Sequence, residues 1–436
     1  MLRRIFLVAF LSVLPASALW AEGPGALAQE IDRLAREFEP KVIAWRRDFH
    51  QNPELGNREF RTAKVVAEHL RRLGLEVKTG VAHTGVVGLL RGGGPGPVVA
   101  LRADMDALPV TETLDLPFRS QARVEYEGRQ TGVMHACGHD AHTAILMGVA
   151  EVLAGLKSQI AGTVVFIFQP AEEGAPEGEE GGASLMIKEG VLESPRPDAI
   201  FALHTSTGHH TGKLAYRAGP VMAASDRLRI KVRGRQTHGA APWSGVDPVV
   251  VASQIVLGLQ TIVSRQMNLT KEPVVVTIGS IHGGNRNNII PGEVEMEGTV
   301  RTFNQNMREE VHRRIKQTAE MIAAAAGASA EVQIREGYPV SVNDEGLTEK
   351  MLPTLKRCAG EKNVVLRDKS TGAEDFAFFQ QKIPGFYYHL GVVPAGVDVK
   401  QAAPGHSDKF FVDEAALVMG VRSLANLAVD FLESAR

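Results

Sequence analysis

The chain has 436 residues, 44% of them hydrophobic and 22% charged, and carries a formal net charge of −2. That is enough apolar material for two domains or one large one. The near-neutral balance excludes the strongly basic footprint of a nucleic-acid or anionic-membrane binder and leaves a small molecule or peptide as the default partner.

Residues 1–21 read as a signal peptide. Arg3 and Arg4 precede an apolar run at 5–14, and the small residues Ala16, Ser17, Ala18 and Ala21 follow. This is a basic n-region, an h-region and a cleavage zone, and the run is short for a membrane span. The expectation is export to the periplasm or the medium, with no membrane attachment after processing. Export permits disulfides, but only Cys137 and Cys358 exist. Cys358, near the end of an apolar stretch, reads as a core cysteine.

Residues 31–74 read as helices broken by His50-Gln-Asn-Pro-Glu-Leu-Gly56. Residues 98–103 form a short apolar strand that ends in Asp104. After His139, Ile145, Val149, Val152, Leu153, Leu156 and Ile160 repeat at helical spacing, with Gly162 where a C-terminal cap belongs. The run 163–168 is a strand buried on both faces, and 199–203 is a third such strand. Between them lie a Gly/Glu-rich loop at 174–182, whose Glu177, Glu179 and Glu180 read as solvated, and another helix. Strands alternating with helices predict an α/β sheet covered by helices on both faces.

The pattern changes over 214–337. Strands at 228–232, 274–281 and 294–300, helices at 249–267 and 307–326, and a last strand at 330–334 give the order β-α-β-β-α-β. We read this as a domain inserted between 22–213 and 338–436. A strand at 385–391 and a helix at 414–432 close the chain.

The three apolar strands each break into chemistry at the carboxyl end, where open α/β sheets bind ligands. Asp104 ends the first, Glu172-Glu173 follow the second and His204 ends the third. Cys137 and His139 stand two residues apart at a strand-to-helix turn in His135-Ala-Cys-Gly-His-Asp-Ala-His142. Thiolate, imidazole and carboxylate are the ligands of zinc and similar divalent ions. Two adjacent carboxylates at a buried strand end repel each other and lose solvation; a cation removes that problem. His406, in Pro-Gly-His-Ser-Asp-Lys, offers a distant ligand that closes the site, whereas His209 and His210 read as solvated loop residues.

These motifs resemble the dinuclear metal-dependent amidohydrolases and peptidases that include hippurate hydrolases, N-acyl-amino-acid aminoacylases and auxin-conjugate (IAA-amino acid) hydrolases. The likeness runs from about residue 44 to the C-terminus. It rests on Arg102-Ala-Asp-Met-Asp-Ala-Leu-Pro109, His135–His142, Pro170-Ala-Glu-Glu-Gly174, Thr237-His-Gly-Ala240, Asn288-Ile-Ile-Pro291, Gly372-Ala-Glu-Asp-Phe376 and His406-Ser-Asp408. The resemblance implies a zinc-peptidase-like mixed sheet flanked by helices, with a ferredoxin-like lid that dimerises in many relatives. A homodimer through that lid is therefore an expectation.

The resemblance also assigns roles. It implies two divalent ions (Zn, Mn, Ni or Co) held by Cys137 as the bridge, His139, Glu173, His204 and His406. Glu172 is the implied general base. It would act on a metal-activated water that attacks the amide of an N-acyl amino acid. His238 is a candidate donor to the oxyanion, reaching across a dimer. Asn288 and Arg301 are candidates for holding the substrate carboxylate, with a structural salt bridge an equal reading for Arg301. Asp104 either supports the ligands or caps its strand. The loop Thr205-Ser-Thr-Gly-His-His-Thr-Gly212 lacks the aromatic and prolines of many relatives, which leaves acyl specificity open. A carboxypeptidase or dipeptidase is the competing enzyme. A non-catalytic binding protein is the competing class, and the intact Glu172 argues against it.

Overall fold

The computed structural model describes residues 24–434; the expected signal peptide at 1–21 lies outside them. Helices α1 (Pro24–Gln51) and α2 (Phe60–Arg72) lead into strands β1 (Glu76–Val81), β2 (Gly85–Arg91) and β3 (Gly94–Asp104). Then come α3 (His139–Gly155), β4 (Ala161–Gln169), β5 (Ala199–His210) and β6 (Leu214–Tyr216). A second unit of structure follows as β7 (Ala224–Arg233), α4 (Pro248–Thr261), β8 (Val274–His282), β9 (Glu293–Thr302), α5 (Gln305–Ala325) and β10 (Ser329–Glu336). The chain returns through α6 (Glu345–Ala359), β11 (Val364–Leu366), β12 (Gly385–Val393) and α7 (Leu417–Ser434).

The main sheet has eight strands in the order β1-β2-β4-β3-β5-β12-β6-β11. Its centre, β4-β3-β5-β12, is parallel. The β1-β2 hairpin joins antiparallel to β4, and β6 lies antiparallel to β12. The sheet is therefore mixed, as the resemblance implied. Alternation along each central strand feeds two cores. Leu101, Phe166, Phe168, Phe201 and Phe386 pack under α1, α3 and α7. Ala100, Val165, Ile167, Ala202 and Tyr387 face the other way, toward the short helices Gly182–Lys188 and Ala377–Gln380. Arg102, Asp104, His204 and His389 continue this second parity, so the chemistry emerges on the face with the lighter cover.

The second unit has an antiparallel sheet in the order β8-β9-β7-β10. Leu228, Ile230, Val232, Ile255, Val300 and Ile315 form its own hydrophobic core. Apart from a two-residue ribbon, Thr237–His238 paired with Ile289–Ile290, the element order from Ala224 to Glu336 is β-α-β-β-α-β.

Some elements carry no clear signal in sequence, and some local expectations need correction. The hairpin β1-β2 is not seen in sequence because β1 is largely exposed, and the edge strands β6 and β11 are only three residues each. Helix α3 stops at Gly155, and Leu156 and Ile160 reach the same core from the connecting turn. Gly162 is not a helix cap. It sits inside β4 with φ of 95°, and a Cβ there would come within 2.3 Å of the Pro97 carbonyl. Finally, β5 does not stop before His204 but runs on to His210, paired with Val393 of β12. His209 and His210 are therefore half-buried strand residues, not solvated ones.

Candidate metal centre

Four loops at the carboxyl edge of the main sheet converge. Gly138, with φ of 92°, caps the start of α3, and a Cβ there would lie 2.4 Å from Thr205 Oγ1. Only glycine lets the helix begin this close to β5, and that turn brings Cys137 and His139 toward His204. Ala171 and His406 also have positive φ without being glycine, at 50° and 65°. Strained backbone thus flanks Glu172 and Glu173 and lies at His406 itself, a cost that surrounding contacts must hold.

Those contacts are visible around the Glu172-Glu173 turn. Ala171 N donates to Glu59 Oε1 at 2.8 Å, and Glu173 N donates to Asp106 Oδ2 at 2.9 Å. The Tyr338 hydroxyl donates to the Glu172 carbonyl oxygen. Glu59 is fully buried; burial and the nearby Asp106 push its carboxyl up to about 8.

Among the described residues, five groups of ligand-type atoms lie in this region, and two of them share Cys137. Cys137, His139 and His204 offer atoms within 4.8 Å of one another, and so do Cys137, Glu173 and His406. Cys137 Sγ lies 3.3 Å from His204 Nε2, and His406 Nε2 lies 3.1 Å from Glu173 Oε1. The second nitrogens are committed elsewhere. His204 Nδ1 donates to the Thr205 carbonyl at 2.6 Å, and His139 Nδ1 faces Asp106 Oδ1 at 3.2 Å. This leaves both Nε2 lone pairs for the centre. His139 Nε2 is buried and has no hydrogen-bond partner among the described residues. An orphaned imidazole nitrogen beside a thiol and two carboxylates is the donor chemistry of two divalent ions, and the residues present fit them.

Electrostatics point the same way. Burial, then His142, holds His204 well below the ordinary imidazole range, in the neutral form that ligates. Burial opposes a charge on His139, but Asp104, Asp106 and Cys137 override it and hold its proton. Burial and Glu173 push the Cys137 thiol up. Cys137 and Glu173 hold His406 up to about 10. The centre thus stores protons on its own ligands, and two divalent ions would displace them.

Glu172 belongs to neither of the groups built on Cys137. It is 6% exposed, and its Oε1 accepts from the Asp375 backbone N–H at 3.4 Å. Burial, with Glu374, Glu173 and Asp375 beside it, raises its carboxyl well above the usual range. Asp104 is fully buried and is no solvent-facing cap. Its Oδ1 lies 2.6 Å from His142 Nδ1, and its Oδ2 accepts from Arg102 at 2.7 Å. His142 spends its other nitrogen on the Thr205 N–H, at 2.9 Å, so it is not free to ligate.

The other expected residues stand apart from this cluster. His238 and Asn288 are exposed neighbours on a small ribbon that pairs Thr237–His238 with Ile289–Ile290. His238 Nδ1 accepts from Ala240 N at 2.9 Å. Arg301 is half-buried on β9 and makes no ion pair among the described residues, so the salt-bridge reading fails. Several site residues carried no assigned role in sequence: Asp106, Glu374 and Asp375 lie within the quoted motifs, whereas Glu59 and Tyr338 gave no signal at all.

The sheet, the loop cluster at its carboxyl edge and the paired ligand groups define a metal-dependent hydrolase of amide bonds. Residues 100–430 match the family described as Peptidase family M20/M25/M40, and the chain belongs to that family. It is 41% identical to thermostable carboxypeptidase 2 of Saccharolobus solfataricus, over 93% of this chain and 99% of that protein. It is 37% identical to N-acetylcysteine deacetylase of Bacillus subtilis, over 92% and 99%. Its structure is similar to that of a dinuclear metal-binding peptidase of the M20 family from Bacillus subtilis, with a TM-score of 0.76, 36% identity and coverage of 91% and 99%.

Proposed function

We propose that the protein hydrolyses N-acyl amino acids, with Glu172 as the general base. One observation carries the reading: two ligand groups share Cys137, and the buried Glu172, in neither of them, has its carboxylate within 4.8 Å of His139 from one and Glu173 from the other. When bound, two divalent ions polarise a carbonyl and make a water acidic near neutrality. Cys137, His139, Glu173, His204 and His406 would hold them. Glu172 takes the proton of the attacking water and returns it to the leaving nitrogen. A carboxyl whose surroundings favour the protonated form suits that return step. The deacetylase relative supports the acyl-amino-acid substrate.

The segment 214–337 would act as a lid, with His238 supplied by a second copy as the oxyanion donor, and with Asn288 and Arg301 on the substrate carboxylate. The separate core of that segment and the exposure of His238 support this arrangement. Export is supported by the basic, apolar and small-residue order of residues 1–21.

The test is Glu172→Gln, assayed on N-acyl amino acids beside dipeptides. We expect two metal ions per chain and an unchanged melting temperature, with kcat down roughly 10²–10⁴-fold. Near wild-type turnover at full metal content would remove the assignment. The 41% identity to a carboxypeptidase favours peptides as the second reading; a higher kcat/KM on dipeptides would select it.

A further inference from the structure

Arg367 follows directly on β11 and is half-buried. Its guanidinium faces His389 Nε2, and its Nε reaches only the Asp368 carbonyl, at 3.3 Å. Guanidinium nitrogens donate and never accept. His389 Nε2 is therefore the acceptor, and the ring proton sits on Nδ1. That Nδ1 is buried and has no partner among the described residues. Arg217 lies alongside, its Nε donating to the Arg367 carbonyl at 2.8 Å, and Lys213 lies near His209. None of the three cations makes an ion pair among the described residues. Burial, with added repulsion from Arg217, opposes the charge on Arg367 and outweighs the support of Tyr387 and Asp368. Positive charge held this way, with no carboxylate in ion-pair contact, is costly unless something anionic arrives.

The cluster flanks the metal centre. His389 on β12 is in register with His204 on β5, and their rings are 6.0 Å apart on one face of the sheet. His209, held by Ser206 at 3.2 Å, adds a half-buried ring on β5. His209 and Ser206 are among the last residues of β5, within the segment 205–212 where this sequence departs from the pattern it resembles.

Resting on the amidohydrolase reading, we propose that Arg367, His389 and His209 form an anion subsite beside the metal centre. It takes a second carboxylate on the substrate, one that is not part of the scissile amide. That carboxylate can sit on the acyl group or on the amino-acid side chain.

The test uses metal-loaded protein and matched pairs. N-succinylalanine against N-pentanoylalanine probes the acyl side; N-acetylglutamate against N-acetylglutamine probes the amino-acid side. In one pair the charged member should be favoured at least about 10-fold in kcat/KM. Arg367→Gln should cost that member roughly 30-fold, mostly through KM, and its neutral partner a smaller factor. Arg367→Lys should fall between, which separates lost charge from lost fold. No charged preference in either pair, or equal losses on both members, would overturn the subsite. A protein that hydrolyses none of these amides would fail the amidohydrolase reading instead. Calorimetric titration then decides the subsite alone: glutarate should bind at least about 10-fold tighter than butyrate to the wild type but not to Arg367→Gln. Equal affinities in the wild type would overturn it.

Discussion

Arg102 is fully buried, and one guanidinium serves four acceptors. It donates to Gln169 at 2.8 Å, to Asp104 at 2.7 Å, and to Glu374 and Asp375 at 3.0 Å each. Asp375 lies where burial and Glu374 outweigh Arg102, and its carboxyl is pushed up to about 8. The same carboxylates border Glu172, so Arg102 sets the charge beneath the proposed base. Arg102→Met would leave buried carboxylates without their cation and should destabilise the fold by roughly 3–5 kcal/mol, read from urea unfolding. Arg102→Lys keeps the charge but loses the fork and should recover part of that. At this scale, Cys137, His139, Glu173 and His204 stand out in sequence because they follow an apolar run or stand in a Cys-Gly-His turn, whereas His406 enters the proposed ligand set through the family resemblance. Single supporting groups such as Glu59 and Tyr338 do not stand out, because one carboxylate or phenol has no spacing to distinguish it.

Helices α2 and α3 meet through a histidine. His69 is 2% exposed, its Nε2 lies 3.1 Å from the Met147 carbonyl, and its ring stands edge-on to Trp45 at 4.7 Å. Burial lowers its basicity below the ordinary value. Between the folded and unfolded pKa the unfolded chain holds more protons, so stability rises with pH there. The contribution is complete above about pH 6.5, the unfolded value, and is lost as pH falls through the folded one. His69→Gln should therefore flatten the loss of melting temperature between neutral and mildly acid pH; an identical slope in both proteins would contradict this. Element positions were readable wherever apolar runs were long, as in β4 and α3. Element ends were not. The apolar period continues through Leu156 and Ile160 although the helix has ended, because side chains in a turn can enter the same core. The hairpin β1-β2 escaped notice for the opposite reason: β1 is largely exposed, so its sequence has little apolar pattern.

Taken whole, the molecule gathers the buried Asp104, Asp106, Glu172, Glu374 and Asp375 and the half-buried Glu173 into one region, with Arg102 as the permanent cation among them. Two divalent ions would neutralise that excess, so binding should favour the folded state. Chelation should lower the melting temperature by several degrees, with recovery on adding Zn, Mn, Co or Ni; a melting temperature indifferent to metal would count against the centre. The alternation of strands and helices is legible in the sequence alone, because it is written locally as apolar periods, whereas the proposed ligand set comes from the resemblance of its motifs to a known family. Only the tertiary structure decided that Cys137 joins two groups, that Glu172 stands outside both, that His142 is spent on Thr205, and that Arg367 and His389 lie beside His204. Those relations join residues tens to hundreds of positions apart, and strand order and register, not spacing along the chain, bring them together.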